Sequence, residues 1–197
     1  MKKLPKFLAE LFGTFGLALA VTLAATGSYL PTPVIAALTL GLFVYTVGHI
    51  SGTHLNPAIT AGALSIGKIH WKDALGYWAA QFLGAGLAFY LSGQVVETAV
   101  LDVNTEILTG AGEALGVLFF SFGVAAVIYG RVPKDLTGVV VGGSLALGIS
   151  LAGHLSNGIL NPAVALALGS FNWVYLVGPM LGAVLGMWLY KLISDEK

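Results

Sequence analysis

The sequence predicts an all-α membrane protein: six transmembrane helices plus two re-entrant half-helices, in an inverted repeat of three spans and three. Three observations carry this. Of 197 residues, 57% are hydrophobic and 9% charged. A soluble domain carries about 25% charged residues, so this chain could not cover a water-exposed surface and lipid is its main solvent. Second, a twelve-residue stretch occurs twice. Gly48-His49-Ile50-Ser51-Gly52-Thr53-His54-Leu55-Asn56-Pro57-Ala58-Ile59 returns as Gly153-His154-Leu155-Ser156-Asn157-Gly158-Ile159-Leu160-Asn161-Pro162-Ala163-Val164, with seven of the twelve positions identical. Third, every Lys and Arg falls on one predicted side.

The elements follow in order. Met1 to Lys6 looks like the basic start of a signal peptide, but the apolar run after it, about 7–26, fits a span and holds Glu10. It reads as the first transmembrane helix. Further spans cover about 33–51, 72–95, 111–130, 137–153 and 172–192. Two apolar runs, about 57–66 and 162–168, are too short. Ten helical residues rise only about 15 Å, half of a ~30 Å hydrocarbon core. Each run sits beside polar Asn and His that need a protected cavity, so half-spanning re-entrant helices fit better than surface segments.

The charges are an independent check. Lys2, Lys3 and Lys6 precede span one, and Lys68 and Lys72 fall between spans two and three. Arg131 and Lys134 lie between spans four and five, and Lys191 and Lys197 end or follow span six. With both termini cytoplasmic, all are inside. The outward connections hold Glu97, Asp102 and Glu106 and no cation. Five or seven spans would spoil this separation.

The repeat runs beyond the twelve residues. Ala9-Glu10-Leu11-Phe12-Gly13 matches Gly112-Glu113-Ala114-Leu115-Gly116, and Leu83-Gly84-Ala85 matches Leu181-Gly182-Ala183. A single domain, 1–197, thus divides into repeats of about 1–96 and 110–193. Three spans per half is odd, so the halves lie upside down relative to each other. The first short segment enters from the cytoplasm, the second from outside, and their ends meet near the midplane. The spacings Gly76, Ala80, Gly84, Ala88 and Gly178, Gly182, Gly186 permit close helix contact.

Asn is a preferred N-cap and Pro is favoured at the first helical position. Asn56-Pro57-Ala58 and Asn161-Pro162-Ala163 therefore read as helix starts. One copy alone would be an ordinary cap. Two copies in inverted repeats aim two positive dipole ends at one locus, where Asn56 and Asn161 offer amide donors. The non-helical backbone of Gly48–Leu55 and Gly153–Leu160 must line a polar path or be buried in protein. Central donors with carbonyls on either side suit water or a small hydroxylated or amide solute, and a positive centre disfavours cations and protons.

These motifs make the sequence similar to the aquaporins and glycerol facilitators, the major intrinsic proteins. The resemblance rests on Gly48 to Gly52 before Asn56-Pro57-Ala58, on Asn161-Pro162-Ala163, on Glu10-Leu11-Phe12-Gly13-Thr14-Phe15 and on Glu113. It implies a right-handed six-helix bundle with two half-helices, one pore per subunit and a homotetramer. It also implies that Glu10 and Glu113, costly intramembrane carboxylates, accept hydrogen bonds from the loop backbones; a proton relay is the alternative.

The sequence departs from the family at one place. The resemblance puts an arginine directly after the second triplet, in a narrow outer filter, and here that residue is Val164 (repeat one has Ile59). The other filter positions fall by spacing at Ala36, at Ile149 (Leu151 with a gapped loop) and at Gly158. That set predicts an apolar, relatively wide constriction with no fixed cation.

His49, His54 and His154 lack a carboxylate or Cys at ligand spacing. They read as pore-lining or loop-fixing hydrogen-bonders, not a metal site. Gln81 lacks a counterpart in span six and reads as a helix contact. Trp71, Tyr77, Trp78, Trp173, Tyr175, Trp188 and Tyr190 read as interfacial anchors. No nucleophile–base pair supports an enzyme. The chain has no Cys and zero net charge, which excludes thiolate metal sites and argues against nucleic acid. No cofactor is expected. The partners are lipid, water and small neutral solutes such as glycerol-like polyols, urea or ammonia, in a multi-pass protein of the plasma or inner membrane. Two rival readings stay open: a secondary transporter, which would want midplane carboxylates, and a closed-pore structural protein.

Overall fold

The computed structural model describes residues 3–96, 101 and 105–195. Lys2, Glu97, Asp102 and Lys197 of the charge pattern lie outside the described residues. The fold is all-helical: α1 Lys3–Ala25, α2 Thr32–Ser51, α3 Pro57–Ser65, α4 Trp71–Val95, α5 Ile107–Ile128, α6 Thr137–Ala152, α7 Pro162–Ala167 and α8 Trp173–Ile193. Among the described residues, six helical segments are long and apolar enough to cross a membrane: α1, α2, α4, α5 and α8, and α6 together with the 3-10 turn Lys134–Leu136 that leads into it.

Two spans start earlier than hydropathy predicts, at Lys3 rather than 7 and at Ile107 rather than 111. Hydropathy ends where charge begins, but the helix continues because its backbone groups need partners there too. At the start of α1, Lys6 Nζ sits 2.6 Å from Asp73 of α4.

Packing pairs the helices by repeat. α1 lies against α4 and α5 against α8, while α2 against α6 joins the halves. Small residues set these distances. A Cβ at Gly84 would meet Leu11 O of α1, and one at Gly182 would meet Ala114 O of α5. The same holds between α2 and α6, where a Cβ at Gly41 would lie 2.8 Å from Gly138 O. Each half-helix crosses to the other repeat: α3 packs on α8, and α7 on α4 and α1.

The aromatic residues divide. Trp71, Trp173 and Trp188 are about half exposed, at 54%, 54% and 48%. Tyr77 and Tyr175 are not interfacial anchors: they are buried, at 3% and 1%. Trp78 donates its indole N–H to Pro57 O at 3.0 Å, and Tyr190 stacks on Tyr129. These four touch protein because they stand on helix faces turned to the bundle, which hydropathy, blind to direction, does not distinguish from the lipid side.

Candidate functional site

Asn56 and Asn161 cap the two half-helices from extended backbone conformations. Asn56 Oδ1 accepts from Ala58 N at 2.8 Å, and Asn161 Oδ1 from Ala163 N at 3.0 Å. The carboxamide nitrogens reach across. Asn56 Nδ2 donates to Leu160 O and Asn161 Nδ2 to Leu55 O, both at 2.9 Å. An amide carries two N–H groups, so each asparagine keeps one donor in reserve.

The loops feeding the caps are strained. Leu55 has φ 46° and Leu160 φ 58°, and Thr53 takes φ 51° where its repeat-two counterpart is Gly158 at φ 62°. Left-handed backbone at a non-glycine costs of order 1–3 kcal/mol and persists only where surroundings over-determine it. The two buried carboxylates supply that. Glu10 Oε1 accepts from Ser51 Oγ (2.7 Å) and His54 N (2.9 Å), and Oε2 from Leu55 N and Gln81 Nε2 (both 2.8 Å). Glu113 Oε1 accepts from Ser156 Oγ (2.7 Å) and Ile159 N (2.9 Å), and Oε2 from Leu160 N. Tyr77 donates its hydroxyl to Ser51 O at 2.6 Å, and Asn157 Nδ2 donates to the Tyr175 hydroxyl at 3.0 Å.

A cavity of about 520 Å³ descends from the ends of α1 and α2 to the two asparagines. Its walls are mostly aliphatic. Ala36, Ile149, Gly158 and Val164 all line it, as do Asn56, Asn161, His54 and His154. Leu151 does not. His49 does not either: α2 meets this cavity at its start, through Thr32, Pro33 and Ala36, and His49 is exposed near its opposite end. Pro57, Ala58, Pro162 and Ala163 are buried in the first turns behind the asparagines. A water in liquid takes about 30 Å³, so the cavity has room for a small organic solute with company. Among the described residues, no three His, Asp or Glu gather as metal ligands.

The model of the major intrinsic protein family matches residues 1–190. The chain belongs to this family. Aquaporin NIP1-1 of Zea mays is 34% identical over 95% of this chain and 74% of its own. Aquaporin NIP1-3 of Oryza sativa subsp. japonica is also 34% identical, over 95% and 73%. The X-ray structure of the aquaglyceroporin from Plasmodium falciparum superposes with a TM-score of 0.70 at 21% identity, covering 99% of this chain and 96% of that one. This major intrinsic protein is a multi-pass membrane channel, not an enzyme.

Sequence reasoning missed several residues of the loop scaffold. Gln81 is no mere helix contact, since it bonds Glu10 directly. Ser51 and Ser156 occupy one position of the twelve-residue repeat, and Tyr77 and Tyr175 stand at matching distances before Gly84 and Gly182. The repeat register, carried past the identical residues, would have found both pairs.

Proposed function

We propose that the chain, as one domain over 1–197 with repeats of about 1–96 and 110–193, forms a pore for water and small uncharged solutes. Polyols of glycerol size, urea and ammonia are the solute class. One observation carries this reading: two Asn-capped half-helices abut end to end, each with an unspent amide N–H, at the floor of a 520 Å³ cavity. Solute meets Ala36, Ile149, Gly158 and Val164 in the wide outer part, with His154 at its rim, then the two asparagines. Positive helix ends at the floor repel cations. Glu10 and Glu113 hold the loops in shape and do not touch solute. Subunits assemble as a homotetramer in the plasma or inner membrane, with both termini cytoplasmic.

Stopped-flow light scattering on proteoliposomes tests this. Water, glycerol and urea gradients should relax faster than in empty liposomes, without saturation, with a low activation energy and without an ion gradient. Saturable, gradient-coupled flux would indicate a transporter, and no acceleration a closed structural protein.

A further inference from the structure

The two repeats differ one turn before their buried carboxylates. The register that pairs Glu10 with Glu113 pairs Lys6 with Thr109. Lys6 reaches Asp73 at the start of α4, 2.6 Å away. The register that pairs Tyr77 with Tyr175 pairs Asp73 with Phe171. Repeat two thus lacks both the cation and its counter-charge. Phe171 precedes α8 and turns to α4, where it packs edge-on against Phe82 with ring centres 5.8 Å apart. Between α5, α8 and the loop after α6 lies a recess of about 230 Å³, lined by Thr109, His154, Ser156, Asn157 and Tyr175 among others. Two of these side chains are tied to the scaffold: Ser156 Oγ donates to Glu113 at 2.7 Å, and Asn157 Nδ2 to the Tyr175 hydroxyl at 3.0 Å. Thr109 differs from them. It is 3% exposed, and among the described residues its hydroxyl has no hydrogen-bond partner. A buried hydroxyl is costly unless something in the recess bonds it.

From this we infer that the recess binds a small neutral solute with hydroxyl or amide groups and stages it beside the mouth of the pore. The inference rests on the channel reading above and adds a site outside the pore. Size fits: 230 Å³ is the liquid share of about seven waters, room for a three-carbon polyol or a urea. Charge fits: among the described residues no Asp, Glu, Lys or Arg lines the recess, so nothing there balances an ion. The Thr109 hydroxyl both donates and accepts, as a hydroxyl or amide guest requires. Gly153, His154 and Asn157 belong to the walls of both the recess and the main cavity, so a guest leaves the recess within reach of the mouth. By register, Lys6 and Asp73 take the corresponding place in repeat one, so the site belongs to one side of the membrane alone.

The test combines binding and flux. Saturation-transfer-difference NMR with glycerol, on protein in nanodiscs of deuterated lipid, reads binding directly. Thr109→Val removes the hydroxyl at nearly constant shape, Thr109→Met fills the recess, and Thr109→Ser keeps the hydroxyl. Thr109 lies outside the pore, so water permeability in proteoliposomes should be native in all three. Glycerol affinity should fall roughly threefold to tenfold in Thr109→Val, the worth of one hydrogen bond, and stay native in Thr109→Ser. In Thr109→Met the Thr109-dependent signal should vanish and the glycerol-to-water permeability ratio should fall. Methylammonium should not displace glycerol. Equal glycerol signals in all four proteins mean that the recess holds ordered water only, and overturn the site. Displacement by methylammonium overturns the choice of a neutral guest. Lost binding with an unchanged permeability ratio overturns the staging role. If no protein outpaces empty liposomes, the channel reading itself fails, while the NMR still decides the recess.

Discussion

Asn56 Nδ2 donates to the carbonyl of Leu160 at 2.9 Å, and this bond crosses from one repeat to the other. The N–H of Leu160 is held by Glu113, so a carboxylate in α5 orients, through one strained residue, the asparagine that caps α3. The mirror path runs from Glu10 through Leu55 to Asn161. Neither loop can relax without releasing the other's cap.

Replacing either asparagine with aspartate should therefore cost structure as well as selectivity. A carboxylate cannot donate, so Leu160 O or Leu55 O loses its buried partner, at about 1–3 kcal/mol. It also sets a negative charge at two positive helix ends, easing cation entry. Thermal unfolding in detergent should come earlier for Asn56→Asp and Asn161→Asp, and dye-reported cation leak into proteoliposomes should rise. Native leak and native melting in both variants would remove the asparagines from the pore centre.

Truncating the carboxylates should be worse. Glu10→Ala strands four donors and Glu113→Ala three. Each buried unsatisfied group costs about 1–3 kcal/mol, so both variants should lose most folded protein, Glu10→Ala the more. Size-exclusion of fluorescently tagged protein after a heat step gives the order. A proton-relay role predicts the opposite outcome: folded protein with altered proton flux.

The sequence made the framework legible because membrane spans announce themselves by length and apolarity, and because the repeat states its own symmetry. Glu10 and Glu113 stood out because a carboxylate in lipid demands a reason. The inner faces of helix ends did not stand out. Tyr77 reads the same in a hydropathy profile whether it points to headgroups or to Ser51. His49 matches His154 by register, but the inverted repeat sets the two at opposite ends: the cavity opens beside the start of α2, where Thr32 and Pro33 line it with His154, and His49 lies at the far end of that helix. The recess of Thr109, Asn157 and Tyr175 joins two helices and a loop, and no local pattern encodes such a meeting.

The charge segregation predicts sidedness. On this Cys-free background, Lys68→Cys and Arg131→Cys should both resist an impermeant thiol reagent applied to intact cells and react after permeabilisation. Labelling of position 68 from outside would invert the topology and exchange the roles of the two half-helices.

Gly158 should tolerate nothing larger. Its φ of 62° disfavours any side chain, and a Cβ there would lie 2.9 Å from Ile149 O. Gly158→Ala should unfold earlier than wild type by about 1–3 kcal/mol, and solute flux should fall as the α6 end is pushed aside. Unchanged melting would mean the loop has another conformation in the membrane.

The most direct probe of selectivity is Val164. It is 2% exposed and lines the cavity with Ala36, Ile149 and Gly158, where the family resemblance puts an arginine. Val164→Arg should narrow the cavity, add a fork of donors and fix a positive charge above the asparagines. Glycerol and urea flux should fall more than water flux, and any cation leak should fall with them. The substitution has a structural cost. Glu10 and Glu113 already have their oxygens engaged by the loops, so neither is free to pair with the new charge, and among the described residues the cavity lining contains no acidic one. Some loss of thermal stability is therefore expected. The decisive quantity is the glycerol-to-water permeability ratio in folded protein. A ratio equal to wild type would show that position 164 does not stand at the constriction, and the filter assignment of Ala36, Ile149 and Gly158 would fall with it.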